Sequence, residues 1–322
     1  MKRYLIKRIV QMIPVLILVS IFSFMIIHFA PGDPLNMYIR QDMTQQEIDD
    51  IREDLGLDGS VVEQYFAWLV NICKGNFGNS LINHQPVAAQ IFEKLPATIL
   101  LMGTSFVLSV LGAIPLGLWS GMKKNKTVDQ VISLFSYIGI SIPSFWLALM
   151  LIVVFALNLH LLPSNGMRTV GSESLLDILW HLILPSIVLS VGNMAVFTRY
   201  IRSNTITQLE EEYVLTAKAK GVTKRKIMTG HVLKNCLLPV ITIAGMNLAS
   251  LVTGSFIIES VFGWPGMGTL GMSAINSRDY PMIMGFTMLS CIILILGNLI
   301  ADLLYGVADP RIKQEVKRFR ES

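Results

Sequence analysis

The sequence predicts an all-α polytopic membrane protein with six transmembrane helices, and three observations carry that expectation. Of the 322 residues, 52% are hydrophobic and only 15% are Asp, Glu, Lys or Arg, with a mean hydropathy of +0.57. A soluble chain carries about 25% charged residues. Charges are absent from six runs, 9–32, 95–122, 130–167, 178–198, 235–258 and 280–301, which take up roughly half the chain. Each accommodates a helix of about 20 residues, the length that crosses a bilayer's hydrocarbon core. Finally, the runs are continuous, whereas barrel strands of about ten residues alternate apolar and polar side chains. In lipid, helices are then the remaining way to pair the backbone. This distribution argues against a soluble enzyme, a nucleic-acid-binding module and a disordered chain.

The 26 basic residues give an orientation. Twenty of them fall at Lys2, Arg3, Lys7 and Arg8, at Lys123, Lys124 and Lys126, within 199–234, and at Arg311, Lys313, Lys317, Arg318 and Arg320. The intervening segments hold Arg40, Arg52, Lys74, Lys94, Arg168 and Arg278. Cytoplasmic loops carry the basic excess, so both termini are expected in the cytoplasm of a bacterial or archaeal cell membrane.

Residues 1–30 are expected to form a cytoplasmic segment and the first span. The apolar run 9–29 exceeds an ordinary signal core, and Ala30-Pro31-Gly32-Asp33 offers no small-x-small cleavage pattern. Residues 31–94, with ten acidic and four basic side chains, read as a small extracytoplasmic subdomain. Within it Thr44-Gln45-Gln46-Glu47 has the form of a capping box, and Gly56 is placed to end the helix that follows. A second helix, carrying Tyr65, Phe66, Trp68 and Leu69, is predicted over 61–73. Its apolar side chains should pack on the outer membrane surface or on a partner, because so short a segment makes only a thin core.

Residues 95–306 read as a five-helix core. Its first span, 98–119, is entered through Pro96, a residue suited to a helix start. After the basic turn comes the span 131–157, where Ser141-Ile142-Pro143-Ser144 predicts a kink or break, since proline removes a backbone hydrogen bond. An outer loop at 163–171 leads to the span 178–198, which contains Pro185 and Asn193. The span 239–262 carries Thr242, Asn247, Ser250, Thr253, Ser255 and Glu259, enough polarity for a water-accessible face. Trp264, in the turn-rich stretch 263–268, suits the membrane interface, and Glu259 is placed to anchor that loop. The last span, 282–305, includes Asn298 and Asp302, and residues 307–322 form a cytoplasmic tail.

The cytoplasmic loop 199–235 is the most informative stretch. Residues 209–220 predict a helix, which Gly221 terminates. Leu209, Tyr213, Thr216 and Ala217 recur on one side, offering an aromatic and small residues to something outside the bilayer. Thr223 is placed to cap a second helix over 224–235. Its Ile227, Met228, Val232 and Leu233 suit the membrane interface, with Lys224, Arg225 and Lys226 at the headgroups.

Catalytic and cofactor signatures are missing from the sequence. No Gly-x-x-x-x-Gly-Lys-[Ser/Thr] phosphate loop occurs, so the chain is not expected to hydrolyse ATP. The five histidines lie at least 20 residues apart, and Cys73, Cys236 and Cys291 are scattered. Neither set suggests a metal site or a disulfide framework. No cofactor is expected.

Glu212-Tyr213-Val214-Leu215-Thr216-Ala217-Lys218-Ala219-Lys220-Gly221, followed by Leu237-Leu238-Pro239, resembles the cytoplasmic loop of ATP-binding-cassette importer permeases, most closely the oligopeptide, dipeptide and nickel branch. Ala30-Pro31-Gly32-Asp33-Pro34, Leu95-Pro96-Ala97-Thr98 and Ser141-Ile142-Pro143-Ser144-Phe145-Trp146 resemble the same branch. So do the stretch from Glu259 through Gly266, Arg278-Asp279-Tyr280-Pro281 and Asp309-Pro310-Arg311. Where the broader family tends to have Glu-Ala-Ala, this chain has Leu215, Thr216 and Ala217. Its Gly221-to-Pro239 interval is also longer than in sugar and amino-acid permeases, and both departures suit the peptide branch.

The resemblance implies a type I ABC importer permease fold. It also implies a second permease subunit, two ATP-binding subunits and an extracytoplasmic substrate-binding protein as partners. The expected cargo is a di- or oligopeptide; nickel or a nickel chelate, glutathione or another solute is the alternative. An ion-coupled secondary transporter is the rival class, but it needs mid-membrane coupling carboxylates and no docking loop. Glu212, Tyr213, Ala217, Ala219 and Gly221 are the implied ATPase-coupling positions. Asn193, Asn247, Ser250 and Thr253 are candidates for the translocation pathway.

Overall fold

A computed structural model describes residues 2–29, 44, 46, 59–236 and 254–308. Its elements are helices, with no strand among the described residues. In chain order they are α1 (Lys2–His28), α2 (Val61–Cys73), α3 (Val87–Met122), α4 (Thr127–Ser141), α5 (Ser144–Leu151, continued as a π-helix over Ile152–Asn158), α6 (Leu175–Glu210) and α7 (Glu212–Ala219). After these come α8 (Lys224–Ile227, continued as a π-helix over Met228–Val232), α9 (Phe256–Val261), α10 (Met267–Asn276) and α11 (Tyr280–Ala308). The helices Val87–Met122 and Leu175–Glu210 and the segment Tyr280–Leu299 are each long and apolar enough to cross a membrane. The bent pair α4–α5 qualifies as a fourth span, and Val10–Met25 is a shorter apolar helix. The predicted capping box at Thr44, Gly56, and the span 239–262 up to residue 253 lie outside the described residues, apart from Thr44 and Gln46.

The chain divides into two compact units, Met1–Pro96 with Leu270–Ile295, and Ala97–Thr269 with Leu296–Ser322. In the first, α2 has the bounds predicted for it. Its start is a capping box at Ser60: the Glu63 amide donates to Ser60 Oγ at 3.4 Å, and the Ser60 amide donates to Glu63 Oε2 at 2.7 Å. Those bonds hold the Glu63 carboxyl below its ordinary range. Tyr65 and Trp68 pack against Phe24 of α1, with ring centroids 5.5 and 6.0 Å apart. The hydroxyls of Ser20 and Tyr65 are 2.8 Å apart. Much of the aromatic face expected on the membrane surface or a partner is therefore met by α1, while Phe66 and Val70 remain exposed. In the same unit the buried Asp279 joins the segment after α2 to the start of α11. Its Oδ1 accepts from the amides of Leu81 at 3.1 Å and Met282 at 3.3 Å, and its Oδ2 accepts from the Ser80 hydroxyl.

Two boundaries depart from expectation. Helix α3 begins at Val87, so Pro96 lies inside it and does not open it. Val87 and Ile91 are fully buried, and their packing extends the helix through a proline that costs one hydrogen bond, a cost membrane helices tolerate. Helix α6 runs past the expected end at residue 198 to Glu210. At 1.5 Å per residue its 36 residues span about 54 Å, well beyond a hydrocarbon core of about 30 Å. Pro143, in contrast, breaks the third span as its motif suggests. Ile142 and Pro143 are extended, with ψ of 123° and 130°, because a residue before proline is pushed out of the α region. The two halves meet at 100°.

Within the second unit, α3 and α6 pack at close range. A Cβ on Gly117 would fall 2.6 Å from Ile201 Cβ, and one on Gly121 would fall 2.6 Å from Thr205 Cβ. Ser109 donates across to the Ser190 carbonyl at 3.1 Å, and Ala113, Phe197 and Ile201 fill the seam. Small residues permit such backbone approach where apolar lipid supplies little driving force. Gly117→Leu should therefore lower the thermal stability of the detergent-purified chain by about 1–3 kcal/mol through overpacking. Gly103→Leu, whose Cβ meets nothing within 4 Å, should leave melting nearly unchanged.

Candidate functional site

The loop 199–235 is built on the ends of α3 and α6. Helix α6 stops because Glu211 turns extended, with ψ of 147°, and α7 starts at the next residue. The expected helix over 209–220 is thus two pieces, with Leu209 in the last turn of α6. Gly221 closes α7 with φ of +74°, a conformation that glycine adopts without a steric penalty. The amides of Gly221 and Val222 return to the carbonyls of Lys218 and Ala217 at 3.0 and 3.1 Å.

One face of α7 is buried. Val214 is fully covered and joins Ile227, Met228, Val232 and Cys236 in a cluster that also takes in Leu118, Met122, Leu209, Tyr213, Ala217 and Val222. Two expectations change here. Tyr213 and Ala217 face this cluster, so they are not the surface α7 offers outward. Ile227, Met228 and Val232 are enclosed by protein, so they do not lie in the membrane interface. Periodicity identified apolar faces but could not say that these two short helices cover one another. Thr223 does occupy the N-cap of α8, but its side chain makes no cap bond.

Tyr213 ties three segments together. Its hydroxyl donates to Gln208 Oε1 at 2.8 Å, while Asn235 Nδ2 donates to the same Gln208 oxygen at 3.0 Å and to the Tyr213 hydroxyl at 3.3 Å. The end of α6, α7 and the helical turn at Asn235 thereby share one hydrogen-bonded junction. The outward face of α7 consists of Glu212, Leu215, Thr216 and Ala219, all exposed. Leu215, at 56% exposure, is the apolar centre of that face, and the sequence reading did not select it. Its signal was the helical angle to Val214, which becomes informative once Val214 is known to point inward.

Below this platform, Asp129 at the start of α4 organises the turn from α3 and the flank of α6. Arg202 donates to it through Nε at 2.5 Å and Nη2 at 2.8 Å. Ser120 donates at 2.5 Å and the Asn125 amide at 2.9 Å. Asp129 precedes the charge-free run 130–167, and Arg202 follows the run 178–198, so the pair lies beyond the apolar stretches. These donors leave both Asp129 oxygens hydrogen-bonded. Lys124 and Glu210 meet at 3.0 Å with both side chains exposed; such surface pairs contribute little.

At the other end of the second unit, Glu259 is fully buried. Its Oε1 accepts from Thr98 Oγ1 at 3.0 Å, and its Oε2 accepts from the amides of Gly268 at 2.7 Å and Thr269 at 3.2 Å. It anchors the loop as expected, but it does not contribute to a water-accessible face. Trp264 is also fully buried, donating through Nε1 to the Ala97 carbonyl at 2.9 Å. It is therefore not placed at the membrane interface, because this hydrogen bond and the packing of Ala97, Leu101, Ile178 and Leu182 satisfy both ends of the indole. Two motifs separated by about 160 residues thus meet in one joint. Among the pathway candidates, Asn193 is exposed on α6 and donates to the Leu189 carbonyl at 3.4 Å. Asn247, Ser250 and Thr253 lie outside the described residues. No group of three or more His, Cys, Asp and Glu among the described residues could hold a metal.

These features define a helical, multi-pass membrane protein that carries a short helix on the ends of two long apolar ones. The chain belongs to the binding-protein-dependent transport system inner membrane component family, whose model matches residues 113–314, preceded by that family's N-terminal module over residues 1–102. It is therefore a permease of the ATP-binding-cassette importer class. It is 40% identical to the oligopeptide transport system permease protein AppB of Bacillus subtilis, over 97% of this chain and 100% of that one. It is 39% identical to a putative peptide permease of Brucella suis, over 97% and 99%. Identity to the glutathione transport system permease protein GsiC of Escherichia coli K12 is 36%, again over 97% and 99%.

At pH 7, Asp129→Asn should cost about 2–3 kcal/mol, somewhat less than a fully buried pair because Arg202 is partly exposed. Thermal melting of the two detergent-purified proteins at pH 7 checks this, and an unchanged midpoint would show that the donors around residue 129 do not need its charge.

Proposed function

We propose that this chain forms half of the translocation pathway of a peptide importer, taking di- or oligopeptides from an extracytoplasmic binding protein. Two separate ATP-binding subunits hydrolyse the ATP, and a second permease completes the pathway. In this reading the chain crosses the membrane six times in a type I permease fold with both termini cytoplasmic. Residues 1–30 supply the first span, 31–94 the extracytoplasmic subdomain, 95–306 the five-helix core with its coupling loop 199–235, and 307–322 the tail. The broken third span and the long apolar helices support that count. Asn193, Asn247, Ser250 and Thr253 face the pathway.

The observation that carries the coupling role is the two-sidedness of α7. Val214 is sealed inside while Leu215 stands 56% exposed next to it. An exposed leucine flanked by Glu212, Thr216 and Ala219 suits a groove on an ATP-binding subunit, with the small side chains allowing close approach. Tyr213 and Ala217 hold the helix from behind, and Gly221 lets the chain turn away. Movement imposed on α7 is passed through the Tyr213–Gln208–Asn235 junction to α6 and to the span after residue 235. Because a ligand shifts a conformational equilibrium only by its differential affinity, ATP and loaded binding protein must favour different positions of these elements.

Peptide cargo is supported by the names of the relatives from Bacillus subtilis and Brucella suis. A second reading, glutathione, is supported by the Escherichia coli relative. The ligand retained by the binding protein encoded beside this chain decides between them, and a mixed population of short peptides is expected.

Leu215→Glu should weaken co-purification of the ATP-binding subunits by about thirty-fold and abolish uptake into proteoliposomes, the loss typical of a central interface residue. The melting temperature of the permease should stay unchanged. Normal assembly and transport in that variant would overturn the coupling assignment.

A further inference from the structure

A cleft of about 490 Å³ opens between α4 and α6 on the second unit, lined by Ser133, Tyr137, Arg199, Tyr200, Arg202 and Ser203. Neither the coupling helix nor the pathway candidates contribute to it. Two guanidinium groups, two phenols and two hydroxyls converge there, which is the donor set of an anion site. The two arginines differ, however. Arg202 spends its Nε and Nη2 on Asp129, so its charge is compensated. Arg199 lies over the Tyr137 ring, 4.9 Å from the centroid, and no carboxylate among the described residues pairs with it. A guanidinium left in this state offers a planar fork of donors suited to a phosphate.

Depth identifies the kind of phosphate. Arg199 is the first charge after the run 178–198, and the cleft's α4 wall lies just inside the start of the run 130–167. The cleft is thus at a boundary between hydrocarbon and headgroup. On its apolar side α4 exposes Leu134, Phe135 and Ile138, a surface that acyl chains can cover. Tyr137 and Tyr200 are about half exposed, placing two phenols where aromatic side chains favour the membrane interface. A free anion would use the arginine but not the apolar wall; a phospholipid uses both.

We propose that this cleft binds the headgroup of an anionic phospholipid. Arg199 grips the phosphate, Ser133, Ser203 and the two phenols bond the glycerol and headgroup oxygens, and the acyl chains lie along Leu134, Phe135 and Ile138. Tyr137 holds the guanidinium in position from below by a cation–π contact.

Native mass spectrometry of the full-length chain tests the assignment, with phosphatidylglycerol or phosphatidylcholine added to detergent micelles. The wild-type chain should retain phosphatidylglycerol at roughly ten-fold lower concentration than phosphatidylcholine, the scale of one charge-assisted contact. Arg199→Gln should erase that preference. Arg199→Lys, which keeps the charge and perturbs the fold least, should reduce it severalfold because an ammonium cannot form the bidentate pair. Lys74→Gln, which alters an exposed cation outside the cleft, should match wild type. Equal retention of the two lipids by the wild-type chain, or wild-type preference in either Arg199 variant, overturns the proposal. Displacement of phosphatidylglycerol by inorganic phosphate at matched concentration also overturns it, because the cleft would then be a free-anion site.

Discussion

Helices α3 and α6 approach so closely at Gly117 and Gly121 that no Cβ fits between them, and the end of the second unit that carries α7 is assembled on that contact. The approach sets Ser120 of α3 and Arg202 of α6 on the same carboxylate, Asp129. It also brings Leu118 and Met122 against Val214 and Ile227, so that α7 and α8 rest on a surface neither long helix could form alone. A larger side chain in the seam would disturb the contact, the ion pair and the platform together, because packed interiors have few alternative arrangements.

Ionisable residues beside apolar spans are costly and usually invite a transport role. In this chain three of them serve as joints. Asp129 binds a helical turn to α6, Asp279 binds residues 80–81 to the start of α11, and Glu259 binds a loop to α3. Both oxygens of each carboxylate accept hydrogen bonds, so the cost of desolvation is offset by donors of known identity. That use suits the proposed coupling through α7, in which energy would come from outside the chain and not from protonation of its own carboxylates.

Much of this was legible in the sequence, and the failures share a cause. The helix Val61–Cys73, the break at Pro143 and the stop at Gly221 follow from local chemistry: periodicity, the loss of an amide donor, and a left-handed backbone position. Pro96, Trp264 and Met228 were misplaced because local chemistry favoured a helix start, an interface and a lipid-facing surface, and tertiary neighbours decided otherwise. Val87 and Ile91 draw α3 back past Pro96, the Ala97 carbonyl takes the Trp264 indole, and α7 covers Met228. At Glu212–Ala219 the expected helix is present, but Tyr213 and Ala217 turn toward the protein and not outward. Tyr213 and Ala217 stood out by residue type, whereas Leu215 is informative only once the buried side is known.

The proposed coupling role requires α7 to be fixed to α6 and not to behave as a solvated loop. Amide hydrogen exchange on the full-length chain measures this directly. Residues 214–222 and 227–236 should be protected to a degree comparable with 198–209, and Tyr213→Phe should loosen all three stretches together. Exchange of 214–222 at the rate of an unstructured segment, with 198–209 still protected, would contradict it.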